Sequence, residues 1–419
     1  MLLGTPRRPL THLRVATALA LALGFGAWRA EALDPSVGLS QYHTLNWQIE
    51  NGLPQNSVQA LLQSSEGYIW IGTQAGLARF DGIRFVVFDR ANTPAMGREN
   101  IRALAEDVDG SIWAATDSGL LRFRRGDSTR ISAADGLPSN QVRSLLVDRE
   151  GVLWVGTENG VCRLKDGRLL AAKVPGLEGV IPVRIRQSED GAIFFATMRG
   201  LYRLHEGKVA RFGTADGLPD EAVFDVCRDR RGTLWVGTSR GAARMVNGRF
   251  ARLALPSDVA DDTVHAVWQD RQGSVWLGLE RRGIVRWHGD GGRVEVYGQA
   301  QGLAGAYVRE FVEDRQGNVW VATFDAGLTC LRETPFSGFG KREGLPTDDV
   351  QAILQSRDGD VWMGLNTGGV ARVRNGLVTT YSTGDGLNDD TVYSIAEGPG
   401  DDIWVGTPRG LNRIWGGRI

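Results

Sequence analysis

A tryptophan that returns every 40–44 residues constrains this chain more than any other feature. It stands at Trp70, Trp113, Trp154, Trp235, Trp276, Trp320, Trp362 and Trp404, with Phe194 in the fourth place. The successive gaps are 43, 41, 40, 41, 41, 44, 42 and 42 residues. Nine copies of one period identify a repeat protein, so the length of 419 residues cannot be read directly as a count of ordinary domains.

Each copy resolves into short strands by alternation and turn chemistry. In the fifth, Ala222 to Arg228 reads as a first strand and Asp229-Arg230-Arg231-Gly232 as a turn. Thr233 to Thr238 is a second strand, ended by Ser239-Arg240-Gly241. Ala242 to Val246 is a third, and Asn247-Gly248, a favoured hairpin pair, turns it into a fourth from Arg249 to Leu253. Four antiparallel strands in about 42 residues are the signature of a propeller blade. A lone four-stranded sheet cannot bury both faces, whereas radial stacking covers them. The repeated tryptophan is therefore read as packing between sheets. So is the arginine of the third strand (Arg79, Arg122, Arg163, Arg203, Arg244, Arg286, Arg372, Arg413), replaced once by Cys330.

The expected fold is an all-β propeller of nine four-stranded blades. It is either a single closed ring or a seven-bladed ring followed by two blades of a second ring. Gln41 to Trp47 resembles an outer fourth strand, and the last copy stops where its own fourth strand would begin. The N-terminal strand is thus expected to complete the C-terminal blade.

Composition narrows the class. Glycine, 56 of 419 residues, is about 13%, nearly twice the usual ~7%, as many tight turns require. The formal net charge of −1 and the lack of a basic run exclude a nucleic-acid footprint. Arg7, Arg8 and Arg14, an apolar stretch from Val15 to Trp28, and Ala30-Glu31-Ala32 have the layout of a secretory signal peptide. Residues 1–32 are assigned to that peptide and 33–419 to the propeller, with no membrane span in the mature chain and a periplasmic or secreted location. Cys162, Cys227 and Cys330 form no disulfide framework and are read as buried small hydrophobes. His12, His43, His205, His265 and His288 make no motif with a nucleophile, and no metal site or cofactor is expected.

The string GLP-x-N-x-V, D-x-x-G, W-V-G-T is best kept at 52–82, 136–167, 217–248 and 344–376, and resembles the two-component regulator propeller repeat. The resemblance covers residues 41 to 415. It implies an extracytoplasmic sensor propeller whose output is delivered by a histidine kinase or diguanylate cyclase. No such output domain occurs in these 419 residues, so the sequence is expected to be either a fragment of a longer sensor or a stand-alone relative whose partner is a membrane sensor kinase or cyclase on another chain.

A ligand site is sought in the loops that vary between copies while the strands do not. Arg199, Arg240 and Arg282, with Arg281 beside the last, recur before the loop glycine in three consecutive copies. The next copy adds Phe324, Asp325 and Tyr307. Arginine's planar fork suits carboxylates and sulfates, and an aromatic ring suits a sugar face. These seven residues are expected to bind a ligand such as an acidic oligosaccharide, without catalysis. Two other classes compete. One is a protein-interaction scaffold; the other is a lyase or glycosidase using acids among Glu158, Asp261, Asp262, Asp325, Asp389 and Asp390.

Export makes one prediction. Intact-mass measurement of the secreted protein should give Leu33 as its first residue; retention of residues 1–32 in a cytosolic fraction would contradict the assignment.

Overall fold

The computed structural model describes residues 33–419 except 90, 91, 97, 98, 125, 172, 173, 290, 291, 334–338, 342, 343, 375, 376 and 401. The assigned signal peptide lies outside the described residues. Nine antiparallel sheets follow one another, and the only helices among the described residues are single 3-10 turns. The first sheet sets the pattern: β2 (Val58–Gln63), β3 (Ile69–Thr73), β4 (Gly76–Phe80) and β5 (Phe85–Phe88), paired in that order from inside to outside.

The turn between first and second strands anchors the repeat. In the fifth blade Asp229 accepts the backbone N–H groups of Arg231 and Thr233 through Oδ1, at 2.9 and 2.8 Å. Its Oδ2 accepts the indole N–H of Trp235 at 2.8 Å. The same indole-to-aspartate bond joins Trp113 to Asp107, Trp154 to Asp148, Trp276 to Asp270 and Trp320 to Asp314. The fourth blade replaces both partners together: Phe194 has no N–H, and Ser188 stands in the turn. These five tryptophans thus bury their rings without stranding the polar atom, as burial in an apolar wedge demands.

Third-strand arginines lie directly across the ladder from these rings. Arg122, Arg163 and Arg372 sit 5.1, 5.3 and 5.2 Å from the centroids of Trp113, Trp154 and Trp362. Such a cation–π contact is worth about 0.5–2 kcal/mol, less than the about 3–5 kcal/mol at stake in burying a tryptophan, so the arginine is the lesser element of the pair. The glycine after the tryptophan sets blade spacing. A Cβ on Gly237 would lie 2.6 Å from the Val264 carbonyl oxygen of the next blade.

The first seven sheets make a circuit. Inner strands of neighbouring blades lie against one another around it, and the seventh returns to the first. There Leu53, Val58 and Leu61 share a core with Trp320, Ala322 and Leu328, and the Gly327 N–H donates to the Asn56 carbonyl at 2.8 Å. The arrangement is therefore seven blades plus two.

The N-terminal strand does not complete the last blade, as the sequence suggested; it completes the seventh. β1 (His43–Trp47) pairs antiparallel with Leu328–Arg332, from His43 opposite Arg332 to Trp47 opposite Leu328. This seventh sheet is the one in the ring whose three consecutive strands have no sequence-adjacent fourth among the described residues. The local chemistry fits the exchange. Cys330 occupies the arginine position opposite Trp320, and Trp47 stacks on Trp320 instead, 5.3 Å between centroids with planes 22° apart. Upstream of β1, Leu33, Leu39 and Tyr42 enter the core shared by the sixth and seventh blades. The fully buried Arg286 donates to the Val37 carbonyl, the Tyr42 hydroxyl and Glu295. Desolvation of Tyr42, more than any nearby charge, pushes its phenol up to about 12.

The eighth sheet has four strands and the ninth three (Ser394–Glu397, Ile403–Thr407, Gly410–Ile414). They pack on one another through Trp362, Val370, Leu387, Val392 and Val405. Their other faces are open. Ile353 is 69% exposed and Leu411 63%, whereas the matching Phe311 and Leu328 of the seventh blade are 5% and 0%. Seven of the eight repeated tryptophans are buried; Trp404, on the open ninth sheet, is half-buried.

Trp235→Ala should lower stability by about 3–5 kcal/mol, and Trp47→Ala, half-buried at the closure, by about 2 kcal/mol. Denaturant titration checks both, and an unchanged midpoint for Trp47→Ala would refute its closing role.

Candidate functional site at the channel mouth

Every inner strand of the ring begins at one rim of the central channel. Its first residue pairs with the last residue of the second strand, as Val223 with Thr238 and Val308 with Thr323, and the register shifts immediately afterwards. Such bulges re-aim a side chain. One further hydrogen bond closes the ladder on the loop side, from the Ser239 N–H to the Ala222 carbonyl at 3.1 Å and from the Phe324 N–H to the Tyr307 carbonyl at 2.8 Å. Three positions in each blade therefore surround the mouth: the residues before and after the first valine, and the first loop residue.

These positions split the mouth into two arcs. In blades one to three they are polar and paired within the arc. The Gln59 amide donates to Asn100, Arg102 pairs with Asp117 at 2.7 Å, and Arg143 pairs with Glu158. In blades four to seven they are largely apolar or aromatic. Ile181 and Met198 are 42% and 53% exposed. A continuous ring-to-ring path then runs from Phe224 to His265 (4.5 Å), to Tyr307 (4.7 Å) and to Phe324 (5.0 Å).

Arg309 underlies that path. Its Nη1 lies 3.0 Å from the Tyr307 hydroxyl and 3.3 Å from His265 Nδ1, and its buried Nε has no partner among the described residues. Burial, reinforced by the charges of Arg309 and Arg184, pulls the His265 pKa down to about 3. The imidazole is therefore neutral at physiological pH, and its 3.4 Å contact with Glu280 is a hydrogen-bonding contact rather than an ion pair.

Below the mouth, four charges cross the channel. Arg184 of the fourth blade reaches Glu310 of the seventh at 3.0 Å, and lies 3.7 Å from Asp225 of the fifth. Arg186 approaches Asp225 at 3.4 Å and Glu310 at 3.7 Å. The carboxylates are tied to the walls as well: Asp225 accepts the Val226 and Val267 N–H groups, and Glu310 accepts that of Leu61. Removing one member of a buried pair leaves the other uncompensated at about 3–5 kcal/mol, so this bar is a fixed floor to the mouth.

The expected site residues fall into two groups. Tyr307 and Phe324 meet on the aromatic arc, and Asp325 holds their loop by accepting the Ala306 and Tyr307 N–H groups at 3.1 and 3.3 Å. The arginines sit farther out in the loops of blades four to six, and all four are exposed. Arg281 pairs with the buried Asp262 at 3.2 Å. Arg240 acts on Asp220, whose pKa is lowered chiefly by the Ala222 N–H, and on Asp261, whose main partner is Arg252. The remaining candidate acids have their own partners: Glu158 pairs with Arg143, Asp389 with Arg409 at 3.2 Å and the Thr391 N–H at 2.9 Å, and Asp390 with Thr383. Among the described residues no cluster of His, Cys, Asp or Glu is arranged to hold a metal ion.

Sequence reading missed Ile181, Met198, Phe224, His265 and Arg309. The signal was present, because the second residue of the inner strand varies around the ring: Gln59, Arg102, Arg143, Val183, Phe224, His265, Arg309.

The fold and this rim define a β-propeller. Five of its repeats, at residues 52–75, 136–159, 217–240, 302–325 and 344–367, match the two component regulator propeller model, so the chain carries repeats of that kind. A solved structure described as the extracellular domain of a hybrid two component system, BT3049 of B. thetaiotaomicron, is similar at TM-score 0.74 and 22% identity over 90% of this chain and 53% of the other. A second, BT4673 of the same organism, gives 0.57 and 20% over 90% and 52%. The chain thus spans about half the length of these two extracellular domains. Streptogramin B lyase gives 0.57 and 15% over 71% of this chain and 99% of its own. At these identities the likenesses show the fold. No curated protein matches the chain. No helix among the described residues is long and apolar enough to cross a membrane.

The buried neutral imidazole sets a pH dependence. The unfolded histidine takes up its proton near pH 6.5 while the folded one stays neutral to about 3, so stability falls as pH drops below 6.5. Relative to His265→Gln, the wild type should lose up to about 1.4 kcal/mol per pH unit between pH 6 and 4 in urea titrations. Parallel curves for the two proteins would show that His265 titrates normally.

Proposed function

We propose that this chain is the ligand-sensing propeller of an extracytoplasmic signal-transduction system, without intrinsic catalysis, and that its ligand binds at the channel mouth of blades four to seven. The observation that carries the reading is the aromatic path Phe224–His265–Tyr307–Phe324, which lines one side of a mouth whose other side is occupied by paired polar groups. Arg199, Arg240, Arg281 and Arg282 rise on the same side. Aromatic faces beside exposed guanidinium groups suit an acidic oligosaccharide, the sugar ring stacking and its carboxylate or sulfate pairing. Tyr307 and Phe324 supply the stacking surface in this reading, and Asp325 fixes their loop. The output belongs to a sensor kinase or cyclase, in keeping with the two-component family of the repeats. The candidate acids are held by separate partners rather than against one another, which favours binding over a lyase or glycosidase, for which a paired or His-centred site is needed.

Calorimetric titration with uronic-acid and sulfated oligosaccharides tests the proposal. Arg240→Ala should weaken binding more than Arg409→Ala, which lies on the ninth blade, and added salt should weaken it further. Equal affinities in the two variants, or binding of neutral sugars alone, would refute the arginine contribution. Co-purification of a protein partner without any sugar response would favour a scaffold instead.

A further inference from the structure

The channel has a second open end, beyond the charged bar, where the first strands run into their turns. A cavity of about 710 Å³ lies there, bounded by inner strands of the first, second and fourth to seventh blades. That volume is in the range of small-molecule sites. Leu62, Leu104, Val312 and Trp268 form its apolar surface, Gln63, Gln187, Gln269 and Glu313 line it as polar groups, and Arg186 stands at its base beside Glu310. Trp268 is half-buried, with its ring stacked against Phe311 at 6.1 Å and 24°.

Arg186 is the distinctive element. Its side chain is 41% exposed, and its contacts to Asp225 and Glu310 are long, at 3.4 and 3.7 Å. Those carboxylates already accept three backbone N–H groups and the Nη1 of Arg184. A guanidinium has five N–H donors in a planar fork, and most of Arg186's therefore remain available on the cavity side. At the cavity's outer edge Arg315 donates to the carbonyls of Ser64 and Ser65, so its charge is not matched by a carboxylate in these bonds.

We infer that this lower cavity is a second binding site, separate from the mouth, for a small organic monoanion with a flat apolar body, an aromatic carboxylate. The carboxylate takes the open side of the Arg186 fork, and the ring lies against Trp268 and the leucine wall. Bidentate pairing of this kind is the strong, geometrically specific mode for arginine. The charged bar separates this site from the mouth, so one chain can hold two small molecules at the two ends of one channel.

The half-buried Cys227 lines the cavity, while Cys162 and Cys330 are buried, which provides a local reporter. Burial first, then the charge of Asp225, raises its thiol to about 11, so labelling by a methanethiosulfonate is followed at pH 8.5 over hours. With 2-naphthoate as the probe, calorimetry of residues 33–419 should show one-to-one binding, and naphthoate should slow Cys227 labelling at least fivefold. Trp268→Leu should weaken binding about tenfold, and Arg186→Gln by tenfold or more, as loss of a charge-assisted hydrogen bond implies. Uncharged 2-naphthamide should bind at least tenfold more weakly than naphthoate. Tyr307→Ala, at the mouth, should leave naphthoate binding unchanged. If Arg186→Gln fails to fold, the Trp268 variant and the labelling decide alone. Absence of binding, equal affinity for the amide, unprotected Cys227, or sensitivity to Tyr307→Ala but not to Trp268→Leu would each overturn the inference. Failure of oligosaccharide binding at the mouth would leave it standing.

Discussion

Each sheet of this protein has two apolar faces, and its fold is the consequence of covering both. The tryptophan of the second strand fills the wedge between neighbouring sheets, and the aspartate two strands' turn away satisfies its N–H, so a large ring is buried without a polar penalty. Glycine after the tryptophan keeps the next blade's backbone close. Covering two apolar faces is required of every blade, and radial stacking answers it for all of them at once. The eighth and ninth sheets show the rule from the other side. The same positions that are buried in the ring, held there by Ile353 and Leu411, lie open where no further sheet covers them.

A ring of seven needs its last sheet finished, and the N-terminal strand does this from more than 280 residues away. The joint is not only a backbone ladder. Trp47 takes the face of Trp320 that an arginine would otherwise cover, and the segment before it is held by the buried Arg286. Closing the ring with the chain's early residues ties the first, sixth and seventh blades into one cooperative unit, since none of these contacts can be lost without opening an edge.

Uniform blades leave variation only where packing does not reach. At the mouth, the same three positions carry polar pairs on one arc and aromatic rings on the other. Halfway down, Arg184, Arg186, Asp225 and Glu310 meet across the channel and divide it into two chambers. The framework thus separates two jobs. Repeated residues hold the ring, and residues unique to single blades line the channel on either side of the bar.

The repeat itself determined the secondary structure, the four-stranded blade and the structural role of the tryptophans, because blade-to-blade packing imposes the same local demand on each copy. Sequence also located the variable loops, and Tyr307 and Phe324 do meet. It did not tell which blade β1 would complete, because a strand's pairing partner depends on which edge is left open in three dimensions, and the seventh sheet's is open. Nor did it reveal the path from Phe224 through His265 to Tyr307, or the bar from Arg184 to Glu310. Those residues are 41 to 126 positions apart, and only closure of the ring brings their blades around one axis.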